Sequence, residues 1–384
     1  MIYLDYNATT PVDPEVLAAM LPFLSEEFAN STSAHSAGQR AAAAIEDARE
    51  SVAAFLGADS ATEIVFTSGG TEGNNWSILG TLAMSGEKRH IITTPVEHAN
   101  VARLCSNLEA DGKVSVSRLN VDSKGAIDLD ELRASLTPET ALVSMMLANN
   151  ETGVIFPVIE AARIVKENSD AVFHVDAVNA IGKLPFSLKG SAIDLLSISA
   201  HKFYGPKGIG ALFIREGVKL PPSMIGGGQE SGRRAGTVPT HQIVGLGVAA
   251  EIARSLDGLG HTAELRDRLE NAILELPATC VNGSRDPGRR VPNTTNISFE
   301  HTNGEMIMHR LDELGTYVST GSACHTKGHA ASSVLEAMQV PFSYAMGSIR
   351  FSLGRHTTAE DIDTVIDQVK EVVNALRSHA TVGA

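Results

Sequence analysis

The chain has 384 residues, 43% of them hydrophobic, which fits a globular protein with either one large α/β domain or a large and a small domain. Its formal net charge of -14, from 45 acidic and 31 basic residues, argues against a nucleic-acid binder, whose affinity rests on Lys and Arg clusters. No apolar run is long enough to cross a bilayer, and residues 1–5 carry no basic segment followed by an apolar one, so the expectation is a soluble cytoplasmic protein.

In chain order, short apolar runs of strand length occur at 63–67, 90–93, 141–146, 171–175 and 194–198, with helix-length segments between them. This alternation predicts a parallel sheet covered on both faces. Residues 208–214 follow a Gly-Pro turn and are expected to return antiparallel. A boundary near residue 255, after the helix-like 244–250, divides a large domain (15–255) from a smaller α+β one formed by 1–14 and 256–384. In the last segment Ile362, Val365, Ile366, Val369, Val372 and Leu376 line one face of a helix, with Thr357 and Glu360 expected to cap its start.

The three cysteines form no disulfide framework, which matches a reducing compartment. Cys105 and Cys280 read as small buried hydrophobes. Cys324 differs. It stands in Gly321-Ser322-Ala323-Cys324-His325-Thr326-Lys327, a polar small-residue loop whose cationic neighbours favour a thiolate.

Five polar groups lie at or beyond the carboxyl ends of separate predicted strands, the edge at which open α/β sheets bind ligands. Thr71 belongs to Thr67-Ser68-Gly69-Gly70-Thr71-Glu72, where backbone N–H groups and a helix dipole could meet a phosphate; it matches neither dinucleotide nor P-loop patterns, and a plain tight turn would also explain it. His98 could stack on an aromatic ring and relay protons, or be an ordinary polar residue. Asn149-Asn150 could bind a phenolic oxygen or a carboxylate, or form a turn. Asp176 ends an apolar strand, so it needs a cation such as a protonated pyridine nitrogen; a helix cap or a buried ion pair would also explain it. Lys202, in Ser199-Ala200-His201-Lys202-Phe203-Tyr204-Gly205-Pro206, suits an aldehyde cofactor, although a lone lysine is usually a solvated charge.

Together these residues resemble the cysteine desulfurases of the NifS and IscS type, class V members of the fold-type I pyridoxal phosphate enzymes. The similarity runs nearly end to end and includes Tyr3-Leu4-Asp5-Tyr6-Asn7-Ala8-Thr9-Thr10-Pro11, Glu97-His98, Asn149-Asn150-Glu151, His174-Val175-Asp176-Ala177, Gly226-Gly227-Gly228-Gln229-Glu230, Gly321-Ser322-Ala323-Cys324 and Ile349-Arg350-Phe351-Ser352-Leu353-Gly354-Arg355. The resemblance implies a mostly parallel seven-stranded sheet in the large domain.

It also implies that Lys202 binds pyridoxal 5'-phosphate as the internal aldimine, His98 stacks on its ring and Asp176 pairs with its nitrogen. Gly70, Thr71, Ser199 and His201 would hold the phosphate, Asn150 or Asn179 the phenolic oxygen. Thr237 would reach the phosphate of a neighbouring subunit, making a homodimer the expected unit. Arg350, with Asn150 and Asn30, would bind the carboxylate of L-cysteine, a task suited to a planar donor fork. Cys324 would take the sulfur as a persulfide, releasing L-alanine, and pass it to an acceptor or iron-sulfur scaffold protein; it is also a candidate cluster ligand.

The chain departs from the family at Asn179, where Gln is usual, at Ser31, where Pro is common, and at Ser231, where Arg is common. A selenocysteine lyase shares this fold and pocket, and Ala323-Cys324-His325 with Val340-Pro341-Phe342 looks similar to its active-site segment. A sulfur-relay subunit with weak catalysis, or a plain aminotransferase, would also fit this set of residues.

Overall fold

The computed structural model describes residues 1–321 and 331–382, with side chains as far as 378. In the first part of the chain its strands are β1 (Ile2–Tyr3), β2 (Ile64–Thr67), β3 (His90–Thr93), β4 (Ser115–Arg118), β5 (Thr140–Met146), β6 (Val172–Asp176), β7 (Leu195–Ser199) and β8 (Gly210–Ile214). They are followed by β9 (Thr279–Asn282), β10 (Thr294–Phe299), β11 (Thr316–Tyr317) and β12 (Ser348–Ser352).

The seven-stranded sheet has the order β2-β8-β7-β6-β5-β3-β4. Strands β7, β6, β5, β3 and β4 pair in parallel, whereas β8 runs antiparallel to both β7 and β2. The expected antiparallel return is therefore observed, and because β8 reverses twice over, β2 points the same way as β7. Strands β2, β3, β5, β7 and β8 are buried at every position, β2 included although it stands at one edge, the mark of a sheet covered on both faces. Strand β4 reads Ser-Val-Ser-Arg at a half-exposed edge, so no apolar run announces it.

Two large apolar cores flank this frame. The larger one holds the sheet against helices Ser36–Leu56 and Thr240–Ala253. Those helices approach closely because Gly247 faces Ala48: a Cβ there would come within 2.7 Å of the Ala48 Cα. The second core packs helices Leu259–Ile273 and Ala359–Val382 on the antiparallel sheet β12-β10-β9, with Leu269, Phe299, Phe351, Val365 and Val369 fully buried. Each such side chain removed from water contributes on the order of 1.5–3 kcal/mol.

The last helix buries the expected face, but its cap is one residue later than expected. Thr358 Oγ1 accepts from Asp361 N at 3.1 Å while Asp361 accepts from Thr358 N at 2.9 Å; Thr357 Oγ1 instead accepts from Gly354 N. The reciprocal pair satisfies two terminal donors that a Thr357–Glu360 pair would leave further into the turn.

The N-terminal segment crosses between the cores. Strand β1 pairs with β11, Leu4 is fully buried in the second core, and Thr10 N and Oγ1 both donate to the His201 carbonyl beside the large sheet. Cys105 is buried as expected; Cys280 is only half-buried, because β9 is the outer strand of its sheet. Cys324 lies outside the described residues. Among the described residues no helix is long and apolar enough to cross a membrane.

Candidate active site

The like-directed strands deliver their carboxyl ends to one edge, where a cavity of about 400 Å³ opens. Gly70 and Thr71 arrive after β2, His98 after β3, Asn150 after β5, Asp176 at the end of β6, and Ser199, His201 and Lys202 at the end of β7. Arg350 enters from β12 of the other sheet.

One end of the cavity suits an anion. Helix Gly70–Met84 begins at Gly69 with no side-chain cap, so its first N–H groups and its dipole face outward. Gly69 has φ +147°, a conformation L side chains rarely adopt, and a Cβ on Gly70 would lie 2.4 Å from Val178 Cγ2. The glycines thus allow backbone to line the cavity. Thr71 Oγ1 accepts from Asn100 Nδ2 at 3.2 Å, and Glu72, paired with Arg234 at 3.1 Å, ties the turn to the 233–236 loop.

Asp176 is 5% exposed and accepts from Asn74 Nδ2 at 2.6 Å and Val178 N at 3.0 Å. Burial pushes its carboxyl up, opposed by those two bonds and by the nearby His98 and Lys202. Among the described residues it has no ion-pair partner. A carboxylate so placed is complementary to a cation arriving in the cavity.

Lys202 Nζ donates to the Asn7 carbonyl at 2.5 Å and the Ala8 carbonyl at 3.1 Å, so the N-terminal segment holds its amine at the cavity wall. His201 Nδ1 lies 3.1 Å from Thr9 Oγ1; burial and then the neighbouring Lys202, Lys207 and Lys183 push the imidazole down to about 4, which leaves it neutral at pH 7. His98 is exposed and caps helix Ala99–Ala110, its Nδ1 accepting from Asn100 N at 3.3 Å. With Nδ1 an acceptor, the proton of the neutral ring sits on Nε2.

The side-chain amides of Asn149 and Asn179 are engaged with the protein itself, and Asn150 is engaged through its main-chain carbonyl. Asn149 is a turn residue: its Oδ1 accepts from Glu151 N and Thr152 N. The Asn150 carbonyl accepts from Asn7 Nδ2 at 3.1 Å and Arg350 Nη1 at 3.1 Å. Asn179 lines the cavity, yet its Nδ2 donates to the Asn149 carbonyl at 3.2 Å and its Oδ1 accepts from Lys183 Nζ at 3.0 Å.

Not every expected residue is assembled. Asn30 is exposed and does not line this cavity, its Oδ1 accepting from Thr32 N; Thr237, expected at the phosphate of a neighbouring subunit and not at its own, is exposed and outside this cavity. Ser31 and Ser231 share a different cavity, over the buried Arg49–Glu230 pair. Among the described residues no His, Cys, Asp and Glu cluster could hold a metal, and Cys324, the candidate cluster ligand, is not among them.

Sequence patterns do not point to several contributors. Asp5 and Glu151 line the cavity. Asn7 supplies the carbonyl that holds Lys202, and Lys183, 7% exposed, donates to Asn7 Oδ1 at 2.8 Å; burial pushes its ammonium well below the usual lysine range. Glu97, also buried, accepts from Thr94 Oγ1 and Met146 N, and burial pushes its carboxyl up to about 8. For Asp5, Glu97 and Lys183 a signal is present, a charged residue beside apolar neighbours, but at least one partner is distant in sequence; Asn7 and Glu151 stand among polar residues and carry no such signal.

The aminotransferase class-V family matches residues 2–365. A cysteine desulfurase of a Nostoc species is 51% identical over 381 residues, covering 98% of this chain and 94% of that protein. The cysteine desulfurase NifS of Azotobacter vinelandii is 46% identical over 382 residues, with the same 98% and 94% coverage. A solved structure of a NifS-like protein has a TM-score of 0.91 at 40% identity and covers 97% of this chain and 99% of that one. With a full-length family match and about half its residues shared with such relatives, this chain belongs to the aminotransferase class-V family, in the branch of the NifS-type cysteine desulfurases.

Proposed function

We propose that the protein is a pyridoxal phosphate-dependent cysteine desulfurase that converts L-cysteine to L-alanine and hands the sulfur on through Cys324. The observation that carries this reading is the convergence of a buried, cation-seeking Asp176 carboxylate and the Lys202 amine on one cavity that ends at an uncapped helix N-terminus. Those three features fit the ring nitrogen, the aldehyde carbon and the phosphate of that cofactor respectively. The neutral His201, which lines the same cavity, would add a hydrogen bond without adding charge.

When bound, the cofactor supplies an electron-accepting ring that lowers the cost of removing the substrate's α-proton. Asp176 would keep a proton on the ring nitrogen, and Lys202 would first hold the cofactor and then, once the substrate's amine has replaced it, carry the α-proton. His98, its Nε2 being the protonated nitrogen, would assist that transfer. Arg350 would orient the substrate carboxylate, and the main-chain carbonyl of Asn150 keeps one end of its guanidinium in place. The Cys324 thiolate would attack the substrate sulfur, forming an S–S bond as the carbon–sulfur bond breaks, and the alanine would leave after taking up protons.

The relatives named for desulfuration support this substrate, and the partner would be a sulfur-acceptor or iron-sulfur scaffold protein. A homodimer is part of the proposal. Thr237 stands exposed, away from its own cavity, and Leu21, Leu24, Phe28 and Ile225 are exposed apolar side chains that a second copy would cover. Sedimentation velocity is expected to give twice the 40.5 kDa chain mass; a monomer at micromolar concentration would remove the role given to Thr237. We also place the protein in the cytoplasm, on its cysteine usage.

The central test is Cys324→Ser. With cofactor loaded, it should bind L-cysteine yet form alanine at least about 100-fold more slowly. Alanine formation at the wild-type rate would refute the sulfur-transfer role.

A further inference from the structure

Arg350 is 7% exposed, and both terminal nitrogens of its guanidinium are bonded to the protein itself: Nη1 donates to the Asn150 carbonyl at 3.1 Å, and Nη2 donates to Asp5 Oδ1 at 2.6 Å. Its Nε is buried with no partner among the described residues. Asp5 is itself a cavity residue, with its side chain 20% exposed, and its backbone bridges to Ser352, two residues beyond Arg350. The carboxylate that meets Arg350 is therefore built into the N-terminal segment and faces the space a substrate would enter. The other nearby acid, Glu151, accepts from Ser332 Oγ at 2.5 Å, so among the described residues Asp5 is the carboxylate on the fork.

A guanidinium grips a carboxylate best through two parallel N–H donors. With one terminal nitrogen on Asp5 and the other on a main-chain carbonyl, a second carboxylate meets a cation already neutralised, next to a like charge. We infer that Asp5 is a specificity-determining residue: its carboxylate competes with a substrate carboxylate for Nη2 and for the charge of Arg350. Asp5 thereby weakens the site by a common factor for every ligand that presents a carboxylate and leaves amines without one unaffected. The inference rests on the reading of Arg350 as the carboxylate-binding group.

The experiment measures dissociation constants of L-alanine and of ethylamine, which lacks the carboxylate, for the cofactor-loaded protein by perturbation of the cofactor absorbance. Asp5→Asn is expected to tighten alanine about ten-fold and leave ethylamine unchanged. Asp5→Glu, which keeps the charge, should bind alanine as the wild type does. Asp5→Ser provides a second uncharged variant should the Asn protein fail to fold, and it carries the same expectation. Alanine binding that is unchanged or weaker in a folded uncharged variant would mean that Asp5 merely orients Arg350, and would overturn the inference. The underlying reading fails separately: if Arg350→Gln binds alanine as tightly as wild type, Arg350 does not hold the carboxylate.

Discussion

Glu97 and Asp176 are both buried carboxyls whose pKa is raised, and they differ in what faces them. Asp176 looks into the cavity, where a bound cation can compensate it. Glu97 lies behind, and its Oε2 has no partner among the described residues. Its carboxyl, pushed up to about 8 mainly by burial, keeps its proton when folded where an unfolded glutamate, near 4.5, has lost it. The folded state then binds more protons than the unfolded one between those values, so this residue's effect is to lower stability as pH rises from about 4.5 to 8. Glu97→Gln imitates the protonated form. Relative to the wild type, it should be equally stable near pH 4 and more stable at pH 8, read as urea midpoints; parallel pH profiles for the two proteins would contradict this. Burial acts oppositely on the imidazole of His174, pushed down to about 3, whose resistance to protonation costs stability as pH falls below 6.5. Asp176 is legible as a site residue because it terminates an apolar run. Lys183 is not, since its two amide acceptors are Asn7, 176 positions away, and Asn179.

At the scale of elements, the insertion of β8 between β7 and β2 sets how near the Gly69-Gly70 turn comes to the end of β7. Gly210 opens β8, and a Cβ there would lie 2.4 Å from the Ile198 carbonyl oxygen and 2.8 Å from Gly69 Cα. Both are backbone atoms that cannot rotate away. Gly210→Ala should therefore separate β8 from the turn, costing about 1–3 kcal/mol of stability and weakening retention of the cofactor on dialysis. An unchanged melting temperature and full occupancy would show that the strands tolerate the shift. Periodicity reveals the five parallel strand runs because buried strands are continuous apolar stretches. It passes over β4, whose residues are polar and half-exposed, and it misplaces the last helix's cap by one residue because adjacent threonines offer the same hydroxyl.

For the molecule as a whole, Asn7 is the point where the N-terminal segment, the large sheet and the second sheet meet. Its side chain accepts from Lys183 Nζ and Asn293 Nδ2 and donates to Thr294 Oγ1 at 2.8 Å and the Asn150 carbonyl, while its N–H donates to Ser352 Oγ. Asn7→Ala strips the side-chain partners together. A loss of roughly 2–4 kcal/mol is expected, with a wider thermal transition as the two cores lose a shared fastening. Because the Asn7 carbonyl also holds Lys202, the rate of borohydride labelling at Lys202 should change as well. A variant matching wild type in both measurements would show that the remaining contacts align the cores unaided.

The amino-acid sequence alone determined the α/β frame, the alternation of its strands and the set of chemical groups available at their carboxyl ends, since hydrophobic period and turn chemistry are local properties of a chain. Family likeness implied roles for Lys202, Asp176, His98 and Arg350 that the sequence pattern alone does not carry. Tertiary structure alone decided which carbonyls hold the Lys202 amine, that Asn179 is bonded to Lys183 and Asn149, and that Asp5 sits on Arg350. The first and the last of those facts depend on residues 195 and 345 positions apart reaching hydrogen-bond distance, and such proximity follows from the packing of two cores against one N-terminal segment, which no local pattern encodes.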